Sequence, residues 1–156
     1  MPAKAIPEGY HSITPYLAVD DASGAIEFYK RAFGAAERVR MPTPDGKVAH
    51  AELAIGDSLI MLSDPFGEGQ VKNPKALGGS TMGIFLYTED VEATYNQAID
   101  AGATSTQEPE DMFWGDRFAR VTDPYGHSWQ IATHVEDVSP DEMERRSQEA
   151  MASMTS

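Results

Sequence analysis

The chain has 156 residues, of which 41% are hydrophobic and 24% charged, so it is long enough for one domain with a sizeable core. Its formal net charge of −13, from 25 acidic and 12 basic residues, disfavours nucleic acid as a partner because phosphate contacts require clustered Lys and Arg. The sequence contains no cysteine, which excludes disulfides and thiolate metal sites. We recognise neither a signal peptide nor an apolar run of about 20 residues, and we expect a cytoplasmic protein without a membrane partner.

The first half of the chain alternates strand and helix signals after a loose N-terminal arm. Its alternating apolar residues predict strands over 12–19, 36–41, 48–55 and 58–63. Between the first two strands, Ile26, Tyr29 and Phe33 fall on one face of a predicted helix, which Gly34 ends. Because Pro15 has no N–H group, we expect the first strand at an edge of its sheet.

The second half repeats this pattern after a linker over 64–79 that is rich in Pro, Gly and Asn. It predicts strands over 82–88, 105–108, 114–122 and 128–134, with a helix after the first of them. Tyr16 aligns with Phe85, and Gly34 aligns with Gly102 at the end of the second helix. Each half is therefore strand–helix–strand–strand–strand, and we interpret the chain as a duplication. A coincidence between two unrelated α+β segments is the alternative.

The repeat also gives the predicted domain organisation. We expect an α+β fold in which two tandem βαβββ modules, at about 11–63 and 81–135, form a single domain over residues 1–137. Residues 138–156 are predicted to form a C-terminal helix and tail, with a Ser-Pro-Asp-Glu capping box at the start. The thin apolar stripe of this helix can pack on its own domain or cover a partner subunit, and both interpretations stay open.

Residues 113–131 carry the densest set of polar groups that a small ligand can use. An Asp-Pro-Tyr-Gly turn joins two predicted strands there, and Trp114 and Arg117 lie near the start of the first. Arg117 can form a bidentate contact with a carboxylate or phosphate of a ligand. It can equally pair with Asp116 or Glu110, so both interpretations stay open.

Three sequence features together resemble one protein superfamily. They are the duplicated βαβββ pattern, the Phe-Gly-Ala at the end of the first helix, and the run Trp-Gly-Asp-Arg…Asp-Pro-Tyr-Gly-His-Ser-Trp-Gln that ends at residue 130. This combination resembles the glyoxalase / bleomycin-resistance / extradiol-dioxygenase superfamily, also called vicinal oxygen chelate proteins. The run Gly-Lys-Val-Ala-His-Ala-Glu-Leu from residue 46 resembles its PhnB-like branch. The resemblance implies that the modules form a half-open mixed-sheet barrel with a ligand or metal in the concavity.

The resemblance also implies four ligand positions for a divalent ion, which in superfamily enzymes chelates neighbouring oxygens of the substrate. In this sequence these positions hold Thr14, Met61, Gly83 and Gln130. None of the four offers the imidazole nitrogen or carboxylate oxygen that such ions prefer. We therefore predict no cofactor at the standard site, while a divalent metal elsewhere stays open.

His50 and Glu52 are the best remaining pair for chemistry because residues two apart on a strand share a face. His50 can act as a general base, or the pair can contribute to an off-pattern metal site. A purely structural hydrogen bond across the sheet is the alternative.

Aromatic residues stand on the strands that the resemblance places around the concavity. If the faces of Thr14 and Gly83 line it, then Tyr16, Phe85 and Tyr87 form the wall of an aromatic pocket, which suits flat or apolar small molecules. The alternative is that these rings only fill the core.

These features predict a small-molecule-binding protein or enzyme of this superfamily that lacks the standard divalent-metal centre. One alternative is a binding protein that sequesters a drug or metabolite without catalysis, and another is a metal-dependent lyase or dioxygenase built on His50 and Glu52. His50 and Glu52 are the predicted catalytic residues. The predicted ligand-binding residues are Thr14, Tyr16, Met61, Phe85, Tyr87, Trp114, Arg117 and Gln130. We also expect a homodimer.

Overall fold

A computed structural model describes residues 2–67 and 71–155, so residues 68–70 of the predicted linker lie outside the described residues. The first module contains β1 (Tyr16–Ala18), α1 (Ala22–Phe33), β2 (Ala36–Pro42), β3 (Val48–Ile55) and β4 (Ser58–Ser63), and a short helix α2 (Pro74–Leu77) follows it. The second module contains β5 (Gly83–Tyr87), α3 (Val91–Ala101), β6 (Thr104–Asp111), β7 (Asp116–Thr122) and β8 (Ser128–His134), and α4 (Pro140–Thr155) comes last. The predicted α+β fold of two βαβββ modules with a C-terminal helix is confirmed.

Each module contains one open, four-stranded mixed sheet. The strand orders are β1-β4-β3-β2 and β5-β8-β7-β6, and in each sheet only the first pair is parallel. Tyr16 pairs with Met61 in the first sheet, and Phe85 pairs with Gln130 in the second. These equivalent registers confirm the internal repeat. The strand order places β1 at an edge of its sheet, as expected from the missing N–H of Pro15.

Some boundaries differ from the predicted ones for local reasons. β1 has only three residues because Pro15, just before it, has no N–H to donate, although its carbonyl still accepts from the Met61 amide at 2.9 Å. β7 begins at Asp116 rather than at 114, since Gly115 adopts a turn with φ of 102°. The predicted linker also contains α2, whose first turn is capped by the side chain of Asn73.

Side-chain and glycine caps fix the ends of the helices where the sequence predicts them. Asp21 accepts a hydrogen bond from the Gly24 amide at the start of α1, and Gly34 ends this helix with φ of 67°. Asp90 caps α3 in the same way. At the start of α4, Ser139 accepts from the Glu142 amide at 3.3 Å, as expected of the capping box.

One hydrophobic core spans both modules on the helix side of the sheets. In α1, Tyr29 and Phe33 reach across to Trp129 of β8, with ring centroids 5.3 and 4.4 Å away. The buried carboxylate of Asp123 accepts from the Tyr29 hydroxyl at 2.6 Å and from the Trp129 indole at 2.9 Å. Because successive strand residues point to opposite faces, the other face of each sheet is turned away from this core. Within the described ranges, no helix is long and apolar enough to cross a membrane.

Candidate functional site

The sheet faces turned away from the helices carry most of the predicted site residues. The first open face consists of Tyr16, His50, Glu52 and Met61. The second open face consists of Phe85, Tyr87, Phe118, Arg120 and Gln130, together with Trp114 and Asp116 at one end. Several of these side chains are exposed, including Tyr16 at 44%, Phe85 at 43% and Tyr87 at 60%. These faces are therefore accessible to a ligand in the single chain.

A chain of hydrogen bonds crosses the first open face. His50 Nε2 lies 2.8 Å from Glu52 Oε2, and His50 Nδ1 lies 3.0 Å from the Tyr16 hydroxyl. In the neutral imidazole, Nε2 carries the proton because the carboxylate can only accept, and Nδ1 accepts from Tyr16. Tyr10, in the N-terminal arm, donates its hydroxyl to the other oxygen of Glu52. The predicted pair of His50 and Glu52 is thus extended at both ends by tyrosines, and Tyr16 is the end that faces solvent.

On the second open face, the buried carboxylate of Asp116 collects three side-chain donors. Its Oδ2 accepts from the Tyr87 hydroxyl at 2.8 Å and from the Trp114 indole at 3.0 Å, while Oδ1 lies 2.9 Å from His134 Nδ1. Burial raises the pKa of Asp116, but the hydrogen bonds from His134, Tyr87 and Trp114 outweigh it and leave this pKa below its usual value. Asp116 is therefore an ionised anchor at neutral pH.

The hydrogen bonds to Asp116 hold an aromatic surface in place, which consists of Phe85, Tyr87, Trp114 and Phe118. The ring of Phe85 lies 4.9 Å from that of Tyr87 and 5.8 Å from that of Phe118, measured between centroids. Trp114 meets Phe118 edge-on at 5.9 Å. Contacts of this kind bury apolar area with a defined geometry. The surface offers π-faces to a ligand, since the donors of Tyr87 and Trp114 are already used by Asp116.

The four positions that superfamily resemblance assigns to a metal do not fit a hard or borderline divalent cation. Gln130 lies directly over Gly83, where an added Cβ would stand 3.1 Å from its amide oxygen. Thr14 lines a cavity of about 180 Å³ beside Phe85, whereas Met61 lines a separate one under the N-terminal arm. The donors are a hydroxyl, a thioether and an amide, without imidazole or carboxylate. Among the described residues, no group of three or more His, Asp or Glu side chains is placed to hold a metal.

Arg117 lies on the helix-facing side of β7, away from the aromatic surface. Its guanidinium pairs with Glu92 of α3 at 2.5 Å and with Asp111 at 3.2 Å. The hydrogen bond that Arg117 donates to Glu92, followed by the one that it donates to Asp111, raises the pKa of Arg117. The expected alternative partners of Arg117, Asp116 and Glu110, are not the ones found. Adjacent strand residues point to opposite faces, so Asp116 cannot share the side of Arg117.

Sequence reasoning missed three residues of these networks, namely Tyr10, Asp116 and His134. Tyr10 has no local signal because its partner Glu52 is 42 positions away. For Asp116, no periodic signal links it to Trp114, since the turn at Gly115 separates Trp114 from β7. His134 becomes relevant only through the pairing of β7 with β8, which sets it opposite Asp116.

Comparison with known proteins identifies the family. A family model described as the Glyoxalase/Bleomycin resistance protein/Dioxygenase superfamily matches residues 9–131. The chain belongs to this superfamily. The match covers both modules, so the whole duplicated unit, and not one half alone, carries the superfamily pattern.

Similar proteins include the uncharacterized protein Rv0887c of Mycobacterium tuberculosis H37Rv, which is 43% identical over 136 residues, covering 85% of this chain and 80% of the relative. Among solved structures, TioX from Micromonospora sp. ML1 has 26% identity and a TM-score of 0.64, covering 81% of this chain and all of that one. A PhnB protein from Bacillus cereus, at 18% identity and a TM-score of 0.60, shares the fold over 79% of this chain and 99% of its own. At this identity the likeness shows a shared fold.

Proposed function

We propose that this superfamily member binds a small molecule against its open sheet faces and transfers a proton with the Tyr16–His50–Glu52 chain, without the standard divalent-metal centre. The observation that carries the proposal is the continuous set of hydrogen bonds from the exposed Tyr16 hydroxyl through His50 to Glu52. An activated hydroxyl, a base and a carboxylate that orients the base are the usual parts of an acid–base relay.

In this relay, the lone pairs of the Tyr16 oxygen face the ligand. As Tyr16 accepts a proton from the ligand, its own proton passes to His50 Nδ1, and the resulting imidazolium is stabilised by Glu52. Protons balance, since one leaves the ligand and one arrives on His50. A positioned acid–base group of this kind contributes about 10²- to 10⁴-fold to a rate. The chemistry fits proton removal of the type that lyases use.

A cavity at the Glu52 end of the relay supports small-molecule binding to the first module. It has a volume of about 490 Å³ and lies between the N-terminal arm and the first open face, where Glu52 and Met61 form part of its wall. Ligand pockets commonly have about 300–1,000 Å³. Tyr10 also lines this cavity and donates to Glu52, so the arm is tied to the relay.

The test is a screen of small carbonyl and aromatic compounds by ligand-observed NMR, which detects binding and conversion together. We expect His50→Gln and Tyr16→Phe to lower conversion of a hit about 100-fold or more and to leave its binding intact. Tyr95→Phe, which removes a hydroxyl from α3 that bonds Ser105, is the control and should leave conversion unchanged. Undiminished conversion by His50→Gln would show that the relay is not catalytic.

A second candidate is a binding protein that sequesters a compound without catalysis. The aromatic surface favours it, because the side-chain donors of Tyr87 and Trp114 are used by Asp116 and leave only stacking faces. In the same screen, this function predicts hits that the wild type binds but does not convert. Phe85→Ala would then weaken binding, while His50→Gln would not.

The metal-dependent alternative requires His50 to exchange a hydrogen-bond partner for a metal ion. Both of its ring nitrogens already have protein partners, so a metal on His50 and Glu52 has to displace Tyr16 or the bond between them. We expect a substoichiometric content of divalent metal in protein purified without chelator. A tight, stoichiometric metal that is lost in His50→Ala would favour the metalloenzyme instead.

We further propose a cytoplasmic homodimer in which a second copy shields exposed apolar side chains. Ile13 at 87% and Met154 at 84% exposure support this, along with the exposed rings of the open faces. Light scattering at micromolar concentration should give about twice the chain mass of 17.0 kDa. A mass near that of one chain would rule the dimer out.

A further inference from the structure

Arg120 occupies the middle of the second open face. A cross-strand row runs Phe85, Gln130, Arg120, Gln107 over the four strands of the second sheet. The guanidinium of Arg120 stands 5.4 Å from the ring centroid of Phe118, which is on the same strand face. Arg120 is therefore part of the aromatic surface, with neutral amides as its neighbours in the row.

Among the described residues, Arg120 is the half-buried arginine without an ion pair. The other half-buried arginines, Arg40, Arg117 and Arg146, each lie within 4.0 Å of a carboxylate. A half-buried guanidinium has lost part of its hydration. Acidic residues are abundant in this chain of net charge −13, yet none of the described ones forms an ion pair with Arg120. The contact with Phe118 compensates only in part.

Two carboxylates on this face of the second sheet are engaged elsewhere. Glu110, opposite Phe118 in the neighbouring row, accepts from the Gln107 amide at 2.9 Å. Asp116 is held by Tyr87, Trp114 and His134. Among the described residues, no carboxylate pairs with Arg120, and its guanidinium lies against the ring of Phe118.

We infer that Arg120 recognises an anionic group on the ligand, and that the ligand is a flat, largely apolar molecule that carries a carboxylate. Its ring system stacks on Phe85 and Tyr87, which are 43% and 60% exposed, and its carboxylate takes two parallel hydrogen bonds from the guanidinium. This inference rests on the proposed small-molecule site and adds the chemical class of the ligand.

The corresponding position of the first module carries the opposite charge. Glu52 pairs with Met61 as Arg120 pairs with Gln130, so the repeat sets a carboxylate and a guanidinium at equivalent places. An anionic ligand group is attracted by one module and repelled by the other. The ligand therefore orients with its charged end on the second module and its remaining part free to meet the Tyr16 relay.

The test compares naphthoate with naphthamide, two probes of the same shape that differ in charge, by isothermal titration calorimetry at low salt. Wild-type protein should bind naphthoate about tenfold or more tightly than naphthamide, since hydrogen bonds to charged groups are the stronger ones. Arg120→Gln should abolish this preference without weakening naphthamide. Arg120→Lys, which keeps the charge but loses the two parallel guanidinium donors, should retain part of the preference for naphthoate.

Arg31→Gln is the matched control, because Arg31 is an exposed arginine of α1 and its loss changes the net charge equally. It should leave both affinities unchanged. Phe85→Ala should weaken both probes alike, which would support the stacking surface. Equal binding of the two probes by wild type and by Arg120→Gln would overturn the role of Arg120 while the site itself stands.

Two further outcomes would also overturn the inference. If neither probe binds the wild type, the aromatic site is wrong and the inference fails with it. If Arg120→Gln lowers the mass seen by light scattering and leaves the naphthoate affinity unchanged, Arg120 pairs with a second copy of the chain and does not bind a ligand.

Discussion

Tyr16 and Tyr87 are exposed tyrosines on the two open faces, and their hydroxyls have different acceptors. Tyr16 donates to a ring nitrogen of His50, which can keep the proton. Tyr87 donates to Asp116, and this hydrogen bond, together with burial and the negative charge, raises the pKa of Tyr87. Tyr16 is therefore suited to proton transfer, whereas Tyr87 is suited to a fixed place in the aromatic surface.

Asp116→Asn should loosen the aromatic surface and destabilise the protein. The single carbonyl oxygen of Asn can serve Tyr87 and Trp114 or His134, but not all three, and a lost hydrogen bond to a buried charged group costs about 1.5–3 kcal/mol. Urea unfolding should show a loss of about this size. The emission of Trp114 should also shift to longer wavelength as its indole becomes hydrated.

Asp111→Asn is the control for this variant, because the Asp111 side chain is 75% exposed and makes a surface ion pair with Arg117. Such a pair contributes about 0–1 kcal/mol. Equal unfolding free energies for the two variants would contradict an anchoring role for Asp116.

His134 should make stability depend on pH above neutrality. Its hydrogen bonds to Asp116 and then to Asp137 raise the pKa of His134 above the ordinary value of 6.5. Folded protein thus keeps this proton to higher pH than unfolded protein, so the stabilisation is complete below about 6.5 and is lost as pH rises through the raised pKa. The melting temperature of the wild type should fall more steeply than that of His134→Gln between about pH 6.5 and 8. A parallel decline in both proteins would exclude the contribution of His134, and the exposed His11, replaced by Gln, serves as the control.

At the level of elements, α4 differs from the other long helices because it adds little to the core. None of its described residues belongs to the buried hydrophobic cluster, whereas α1 contributes Ile26, Phe28 and Tyr29. Arg146 connects α4 to the second module: its guanidinium donates hydrogen bonds to Glu136 at 2.8 Å and to the Phe113 carbonyl at 3.0 Å. The helix is thus attached by surface contacts.

A chain that ends at Asp137 should therefore still fold cooperatively. We expect its unfolding free energy to drop by only about 1 kcal/mol, the scale of a few exposed ion pairs. Circular dichroism during urea unfolding measures this. Arg146→Gln in the full chain is the matched variant and should reproduce most of the loss. A truncated chain without a cooperative transition would show that the domain does not end near residue 137.

Strand β7 shows why element-level prediction stops short of the site. Its alternation was visible in the sequence, but which of its two faces meets a helix was not. α3 covers the side of Arg117 and supplies Glu92 as its partner, which leaves the side of Phe118 and Arg120 open. The arginine proposed to face a ligand is therefore Arg120.

At the level of the whole molecule, the modules are joined by polar contacts as well as by apolar packing. Asp123, in the turn before β8, accepts from Tyr29 of the other module. His127 lies 2.9 Å from the carbonyl of Ala18 through its Nε2 atom, which makes a second bond between the modules. These contacts fix how the two open faces stand relative to each other, and hence the geometry of any ligand that touches both.

Tyr29→Phe should weaken the contact between the two modules without creating a cavity in the core. It keeps the ring and removes the hydroxyl that bonds the buried Asp123, so we expect a loss of about 1.5–3 kcal/mol in unfolding free energy. Tyr95→Phe removes a more exposed hydroxyl and should cost about 0.5 kcal/mol or less. Similar losses in the two variants would contradict a special role for Asp123 between the modules.

The sequence by itself determined the duplicated fold, the order of its elements, the helix caps and the pairing of His50 with Glu52. These features are local or repeated, since strand alternation, helical spacing and capping act within a few residues. Only the tertiary structure decided the partners of Asp116, the pairing of Arg117 with Glu92, and the contact of Tyr10 with Glu52. Those choices depend on which sheet face is covered and on groups far apart in the chain, and periodicity along the chain fixes neither.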